Sequence, residues 1–444
     1  RLWFRQLGVW LPFLLALNAV LIVEPLASLR AGFWLSFSAV AVLLFTFSGR
    51  LGAWGWRAMW LRPHGLIALG LFPMLWILDL PISLTGPLAN LIAVPWISLA
   101  VLPTALLGTL LLPVPWLGEN LLWLSGGLID GLVQGLSLLA DVFTPWLPVS
   151  VPIYIWLLSA AGVLILLLPA GMVLRPLGWP LVLLALFAPR EQIPRGQVEV
   201  LQLDVGQGLA IALRTRNHTL LYDAGPKSGS LDQGERVVVP VLRSLGVAEL
   251  DLMLLSHADS DHAGGALAVQ RGVSVKRVIG GDVPGLAEPL RAQPCVSGET
   301  WEWDGVSFSL WQWAGASDSN QKSCVLQVQA GDERLLLTGD IDARAERALL
   351  QSPLGVPTRW LQAPHHGSKT SSSMVFLKAL APEIVLISRG HGNSFGHPHP
   401  QVMARYQALG VQVLDSAEQG AVKFRLGVSG KAQSMRDQRR FWRD

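Results

Sequence analysis

The stretch Ser256-His257-Ala258-Asp259-Ser260-Asp261-His262-Ala263-Gly264-Gly265 decides how this chain is read. It places two imidazoles and two carboxylates in six consecutive positions, directly after the apolar run Leu252-Met253-Leu254-Leu255. A strand that delivers such a cluster into a loop at its C-terminal end predicts a metal site. Carboxylate oxygens and imidazole nitrogens bind divalent ions, and Gly264-Gly265 lets the backbone turn closely around one. The bland alternative is a solvated turn with a chance pair of histidines. Only nine histidines occur in 444 residues, which counts against it.

Three more apolar runs end in chemistry-bearing residues. Leu335-Leu336-Leu337 leads into Thr338-Gly339-Asp340, and Trp360-Leu361-Gln362-Ala363 into Pro364-His365-His366-Gly367-Ser368-Lys369. Leu386-Ile387-Ser388 is followed by Arg389-Gly390-His391-Gly392-Asn393-Ser394 and then Gly396-His397-Pro398-His399-Pro400. Seven of the nine histidines therefore fall in loops at strand ends. A sheet that converges ligands from several strand ends is what a catalytic metal centre requires.

Outward from these loops the composition splits. Up to Arg190 there are 8 Arg, 5 acidic residues and no Lys; the remaining 254 residues hold 26 basic and 26 acidic ones. The net charge of +3 therefore lies wholly in the first part, and the basic pI does not describe a nucleic-acid face. Thirteen of the 19 tryptophans also precede Arg190. Sparse charge, abundant Leu and many Trp predict a polytopic membrane domain of six or seven helices over 1–190. Apolar spans are expected near 7–23, 31–48, 65–80, 87–112, 151–168 and 177–189, with a Gly-rich stretch at 117–140 that either spans or re-enters. Gly126, Gly127, Gly131 and Gly135 are expected to let helices approach closely. Among the acids Glu24, Asp79, Glu119, Asp130 and Asp141, helix ends suit Glu24, Asp79 and Asp141, which leaves Asp130 and Glu119 as candidates for a polar pathway. Placing Arg50, Arg57 and Arg62 in one cytoplasmic loop and Arg175 in another puts everything after Arg190 outside the cytoplasm. The chain opens Arg1-Leu2-Trp3 within an apolar span, so an upstream portion is expected.

A linker at 191–197 precedes a soluble domain at 198–428 and a basic tail at 429–444. Strands are expected at 198–204, 209–215, 218–223, 251–256, 275–279, 306–311, 323–330, 333–338, 358–363, 383–388, 411–415 and 421–427. Helices are expected near 235–245, 342–351, 373–380 and 401–409. Consecutive strands followed by strand-helix alternation suit two packed sheets covered by helices. Cys295 and Cys324 could form one disulfide or remain two buried thiols.

These residues resemble the metallo-β-lactamase superfamily, whose signature is His-x-His-x-Asp-His after a strand, with later Asp and His ligands. Behind a helical bundle, and with Leu203-Asp204-Val205-Gly206-Gln207-Gly208, Pro364–Ser368 and Gly396–Pro400 in order, the chain is similar to the C-terminal portion of ComEC-type DNA-uptake channels. The resemblance implies an αββα sandwich after the membrane domain. It also implies an inner-membrane channel that admits one strand of transforming DNA while the attached domain degrades the other. Implied partners are single-stranded DNA, the lipid bilayer, a DNA receptor and a cytoplasmic translocase. The family's oligonucleotide-binding-like domain would lie upstream of Arg1.

Carried over residue by residue, His257, Asp261, His262, Asp340 and His365 match metal positions, with Asp259 beside them. Asp223 matches a residue that buttresses the metal loop. The catalytic candidates are Asp261, Asp340, His366, Lys369 and His397; His366, Lys369, His397 and His399 are placed as phosphate or leaving-group contacts, or as loop anchors. Two departures stand out. Asp259 replaces the second His of the signature, and no His lies between His262 and His365, where Asn320 or Ser323 is the candidate for the vacant place. Carboxylate in place of imidazole hardens the site and favours Mn²⁺ or Mg²⁺ over Zn²⁺. Two other readings stay open: a channel whose second domain guides DNA without cleaving it, and a membrane-anchored metallo-hydrolase without transport.

Overall fold

The structure, a computed structural model, describes residues 8–47, 56–78, 80, 82, 83, 85–142, 151–169, 171–186, 192–428 and 430–436. The chain divides into two compact units, Arg1–Arg190 and Glu191–Asp444.

The described residues of the first unit are helical: α1 (Trp10–Val23), α2 (Ala31–Phe47), α3 (Trp56–Ile77), α4 (Gly86–Trp96), α5 (Leu102–Leu110), α6 (Leu117–Val142), α7 (Ile153–Leu166) and α8 (Gly178–Leu186). A π turn at Ile97–Val101 joins α4 to α5, so Gly86–Leu110 is one rod of 25 residues. Pro103 has no N–H for the carbonyl one turn back, and a wider turn just before it absorbs that defect. Gly86–Leu110 and Leu117–Ala140 are long and apolar enough to cross a membrane, since about 20 helical residues cover a hydrocarbon core. Many of their exposed side chains are apolar, as at Leu99, Leu110, Trp123 and Leu138, while Glu119, Asp130 and Gln134 are exposed as well.

Two expectations change here, on the arginine loop and on the glycines of α6. Arg57 and Arg62 lie inside α3 rather than in a loop, while Arg50 and Asp79 fall outside the described residues. The 117–140 stretch is a continuous helix. Among the described residues its glycines are not packing points: a Cβ on Gly126, Gly127, Gly131 or Gly135 would meet nothing there within 4 Å. Close approach occurs instead between α7 and α8, where a Cβ on Gly162 would meet Gly178 O at 2.8 Å and one on Gly178 would meet Gly162 O at 2.6 Å. Glu24 sits at the end of α1, paired with Arg30 at 2.8 Å.

In the second unit the strands are β1 (Val198–Gln202), β2 (Ile211–Arg214), β3 (Thr219–Tyr222), β4 (Leu252–Leu255), β5 (Val278–Gly280), β6 (Gln293–Pro294), β7 (Thr300–Trp303), β8 (Val306–Trp311), β9 (Val325–Ala330), β10 (Glu333–Leu337), β11 (Trp360–Gln362), β12 (Ile384–Ile387), β13 (Gln412–Asp415), β14 (Val422–Leu426) and β15 (Gln433–Ser434). One sheet runs in the order β6-β5-β4-β3-β2-β1-β14-β15 and the other β7-β8-β9-β10-β11-β12-β13. Short ladders also join 227–228 to 231–232 and 249–250 to 274–275.

Alternation along each strand builds the layers. Leu252 and Leu254 of β4 enter the core between the sheets, whereas Met253 and Leu255 enter a second core on the outer face. Leu335 and Leu337 of β10 likewise face the central core, and Leu336 faces a third. Helices α9 (Val239–Ser244) and α10 (Ala266–Gly272) cover the first outer face, and α11 (Ala343–Leu350), α12 (Met374–Leu380) and α13 (Pro400–Ala408) the second. The result is a four-layer αββα sandwich. Two central strands therefore read as unbroken apolar runs because each is buried on both faces. Ile193 is buried and Gly196 donates to Asp304 O, so the described part of the expected linker packs onto this unit. Cys295 and Cys324 form a disulfide with Cα atoms 5.9 Å apart, tying the end of β6 to the start of β9.

Candidate metal centre

Parallel pairing gathers the chemistry at one edge. Strands β3 and β4 run parallel, as do β10, β11 and β12, so each set presents its C-terminal ends together. The loops that leave these ends carry Asp223, His257–His262, Asp340, His365–His366 and Ser388.

Asp261, His262, Asp340 and His366 each offer a ligand atom, and all four atoms lie within 4.8 Å of one another. His262 Nε2 is 3.1 Å from His366 Nε2 and 3.2 Å from Asp340 Oδ1. His366 Nε2 is 3.4 Å from Asp261 Oδ2. The opposite nitrogen of each ring is already engaged. His366 Nδ1 donates to the Ser388 carbonyl at 2.7 Å, and His262 Nδ1 donates to Asp223 Oδ2 at 2.8 Å. His257 Nδ1 lies 3.0 Å from Ser256 Oγ, whose own proton goes to Asp223 Oδ2. These partners place the proton on Nδ1, so three Nε2 lone pairs face inward, the arrangement metal-binding imidazoles take.

Without a cation that arrangement is frustrated. Two Nε2 atoms at 3.1 Å face each other, and His257 Nε2 and Asp340 Oδ1 are buried without a hydrogen bond of good geometry. Buried polar atoms are normally paired. Carboxylates and imidazoles aimed at one point, with orphaned acceptors among them, fit a divalent cation in their donor chemistry. His257 Nε2 and Asp259 Oδ2, 3.6 Å apart, form a smaller flank beside the four-residue cluster.

The charges follow. Burial resists ionisation of Asp340, yet His262 and His366 outweigh it and hold its carboxyl well below the usual range. Burial also resists ionisation of Asp261, but His366 and His262 bring its pKa down to about 2. Burial opposes a charged His262, while Asp340 and Asp223 pull its pKa well above the ordinary value. The carboxylates thus create a strong local demand for positive charge, which protons or a cation can meet. His397 goes the other way: burial, then His365 and His366, lower its pKa.

Rigid supports hold the ring. Asp223, fully buried and left-handed at φ 59°, also accepts from Ser256 N at 2.6 Å. Tyr222 spans the two sheets, donating to Cys324 O at 2.8 Å. Gly208 has φ 140°, and a Cβ there would meet Asp261 O at 2.3 Å, so the Leu203–Gly208 segment clamps the metal loop from behind. His365 and His366 both occupy left-handed backbone, at φ 51° and 52°. Such strain in non-glycine residues costs on the order of 1–3 kcal/mol each and concentrates at functional sites.

That backbone inverts one expectation. His366, read from sequence as a phosphate contact, stands in the cluster. His365, read as a ligand, lies to one side with Nε2 3.7 Å from Asp340 Oδ2 and its side chain 24% exposed. Ser323, a candidate for the missing imidazole's place, reaches His257 Nδ1 at 3.4 Å and accepts from Asp340 N, which makes it a brace. Asn320 is in the adjacent turn with its Oδ1 buried and unpartnered. Lys369 is exposed and forms no ion pair among the described residues. His399 caps α13 by accepting from Gln401 N, and His397 packs edge-on to His365 at 5.6 Å. Ser256, Ser388 and Gly208 carry supporting roles that sequence reasoning did not assign; nothing in their identity marks them.

Comparison with known proteins agrees with this architecture. The family described as Competence protein matches residues 1–173, and the Metallo-beta-lactamase superfamily matches residues 203–391. The chain is 37% identical over 447 residues to "Competence protein ComA" of Neisseria gonorrhoeae, covering 99% of this chain and 62% of that protein. It is 28% identical to "Recombination protein 2" of Haemophilus influenzae, covering 93% of this chain and 57% of that protein. It is 26% identical to "ComE operon protein 3" of Bacillus subtilis, covering 91% and 57%. The chain thus spans 57–62% of the length of these relatives. A competence-protein region followed by a metallo-β-lactamase superfamily domain, both in one chain at this level of identity, places the protein in the competence-protein family.

Proposed function

We propose that this chain belongs to a bacterial inner-membrane channel for single-stranded transforming DNA, and that its second unit cleaves phosphodiester bonds of the strand left outside. The observation that carries the reading is the convergence of three Nδ1-anchored imidazoles with Asp261 and Asp340. Asp261, His262, Asp340 and His366 would hold a divalent cation, with His257 and Asp259 forming a weaker second position. Oxygen-rich donors favour Mn²⁺ or Mg²⁺ over Zn²⁺. A bound cation of this kind polarises a phosphoryl oxygen and lowers the pKa of a coordinated water.

The chain's own groups do the rest. Asp223, Ser256 and the Ser388 carbonyl fix the imidazoles. His365 and His397 pack edge-on beside the cluster and line the approach. His399 and Lys369 lie farther out. In the first unit, the rods Gly86–Leu110 and Leu117–Ala140 support a multi-pass membrane domain. The Cys295–Cys324 disulfide suits an oxidising compartment, which supports a position outside the cytoplasm for the second unit. A DNA receptor outside and a translocase inside are the partners this role implies.

The test uses the full chain purified in detergent, a labelled single-stranded oligonucleotide and Mn²⁺. Cleavage should require the metal and vanish in Asp261→Ala, with circular dichroism unchanged. Undiminished cleavage by that variant overturns the nuclease reading; DNA binding with no metal-dependent cleavage by the wild type leaves only a guiding role.

A further inference from the structure

Phe395 is 68% exposed in the loop that follows β12. The loop is braced rather than slack: Asn393 Nδ2 donates to Gly390 O and His397 O, and His397 N donates to Asn393 Oδ1. Its sequence neighbours Asn393, Ser394 and Gly396 are polar or small. Phe395 instead lies 5.9 Å from His397 at an interplanar angle of 27°. His397 in turn lies 6.5 Å from His366 at 19°. His397 thus lies between exposed Phe395 and the cluster residue His366, inclined by at most 27° to each ring.

An apolar ring beside a candidate metal centre suits a ligand that joins an apolar plane to an anionic group, which a cation held there would attract. A nucleotide is such a ligand, because every base has a stackable face. We propose that Phe395, backed by His397, is the stacking platform for an unpaired nucleobase whose neighbouring phosphodiester would meet a cation held by Asp261, Asp340 and His366. This rests on the phosphodiesterase reading and deepens it. A base inside a duplex offers no free face, so the platform selects single strands.

Two measurements on the full chain in detergent decide the matter. The first compares Mn²⁺-dependent cleavage of an oligothymidylate with that of the same strand carrying abasic sites. Stacking contributes roughly 5- to 150-fold per base. The wild type should prefer the thymidylate by at least about fivefold, Phe395→Ala should lose that preference, and Phe395→Trp should regain it. The second irradiates the chain with an oligonucleotide containing 5-iododeoxyuridine and maps the adduct by mass spectrometry. The adduct should sit on Phe395, vanish in Phe395→Ala and return on Trp in Phe395→Trp. An adduct at Phe395 without any cleavage upholds the platform and removes the nuclease reading. Cleavage with a base preference that survives in Phe395→Ala, or adducts only elsewhere, overturns the platform and leaves the nuclease reading intact.

Discussion

His366 Nδ1 lies 2.7 Å from the carbonyl oxygen of Ser388, a bond between the loop after β11 and the end of β12. A carbonyl can only accept, so the ring proton is committed to Nδ1 and Nε2 is left bare toward Asp261 and Asp340. Ser388 is fixed in its turn, its hydroxyl donating to Gly208 O at 2.6 Å. One chain of bonds thus runs from the first strand connection through β12 to the candidate ligand, and it explains how two sheets can hold a single cluster.

His262 depends on Asp223 in the same way, but through a carboxylate. Asp223→Asn keeps the shape while setting an amide N–H against donors at Ser256 and His262. Mn²⁺ affinity should fall by about 10- to 100-fold, the usual effect of losing such support. Isothermal titration of the full chain measures it. An unchanged affinity would mean that Asp223 serves only the fold.

In the proposed second metal position Asp259 stands where the superfamily signature has a His, with Oδ2 3.6 Å from His257 Nε2. Burial resists its ionisation less than His257 favours it, and its pKa is lowered. Asp259→His replaces a hard oxygen by a softer nitrogen and removes a negative charge. Zn²⁺ affinity, measured by competition with a chromophoric chelator, should rise relative to Mn²⁺. A ratio that does not move toward Zn²⁺ would count against a second position here.

The site was legible where chemistry follows an apolar run, because a doubly buried strand must end in a loop and parallel strands end together. The choice between His365 and His366 was not, since it turns on left-handed backbone at two non-glycine residues, which no spacing announces. Strand β7 did carry a readable signal: Trp301 and Trp303 pack on the core while Thr300 and Glu302 are exposed. Four glycines on α6 look like a packing stripe, yet small residues permit close approach without requiring it.

Glu199 is 3% exposed and faces Lys423 at 2.8 Å, Arg214 at 2.9 Å and Arg425 at 3.5 Å. Burial resists its charge, but these cations outweigh burial and hold its pKa below the ordinary value. A carboxylate depressed in the folded state contributes stability that is complete above the unfolded pKa and drains away as pH falls through the folded one. Glu199→Gln should therefore cost about 1–2 kcal/mol at neutral pH, and the gap should close on acidification toward pH ~3. Thermal unfolding across that range checks it; a gap that stays constant with pH would place the effect in packing.

The glycines of the first unit separate packing from open surface. Gly162→Val must push its side chain into Leu181 and the Gly178 carbonyl, where a Cβ alone meets them at 2.7 and 2.8 Å. It should reduce the yield of folded protein severalfold. Gly131→Leu projects instead into a cavity of about 340 Å³ lined by Ile92, Trp96 and Leu139, among others, and should leave the yield unchanged. Size-exclusion profiles in detergent compare the two. Equal loss in both variants would show that the Gly131 face is packed rather than open.

The proposed orientation rests on two independent features. Arg57 and Arg62 lie in α3 near its start, and Arg175 begins the turn before α8. Retaining positive residues in the cytoplasm puts the segment after α8 on the other side, provided the count of crossings between them is even. The Cys295–Cys324 disulfide points the same way, because thiols are kept reduced in the cytoplasm. A phosphatase that folds only in an oxidising compartment, fused after Asp444, should be active, and a reporter that works only in the cytoplasm should be silent at the same point. Alkylation under denaturing conditions should find both cysteines blocked until reductant is added. A silent phosphatase with freely alkylated cysteines would place the second unit in the cytoplasm, and cleavage there would act on DNA that has already entered.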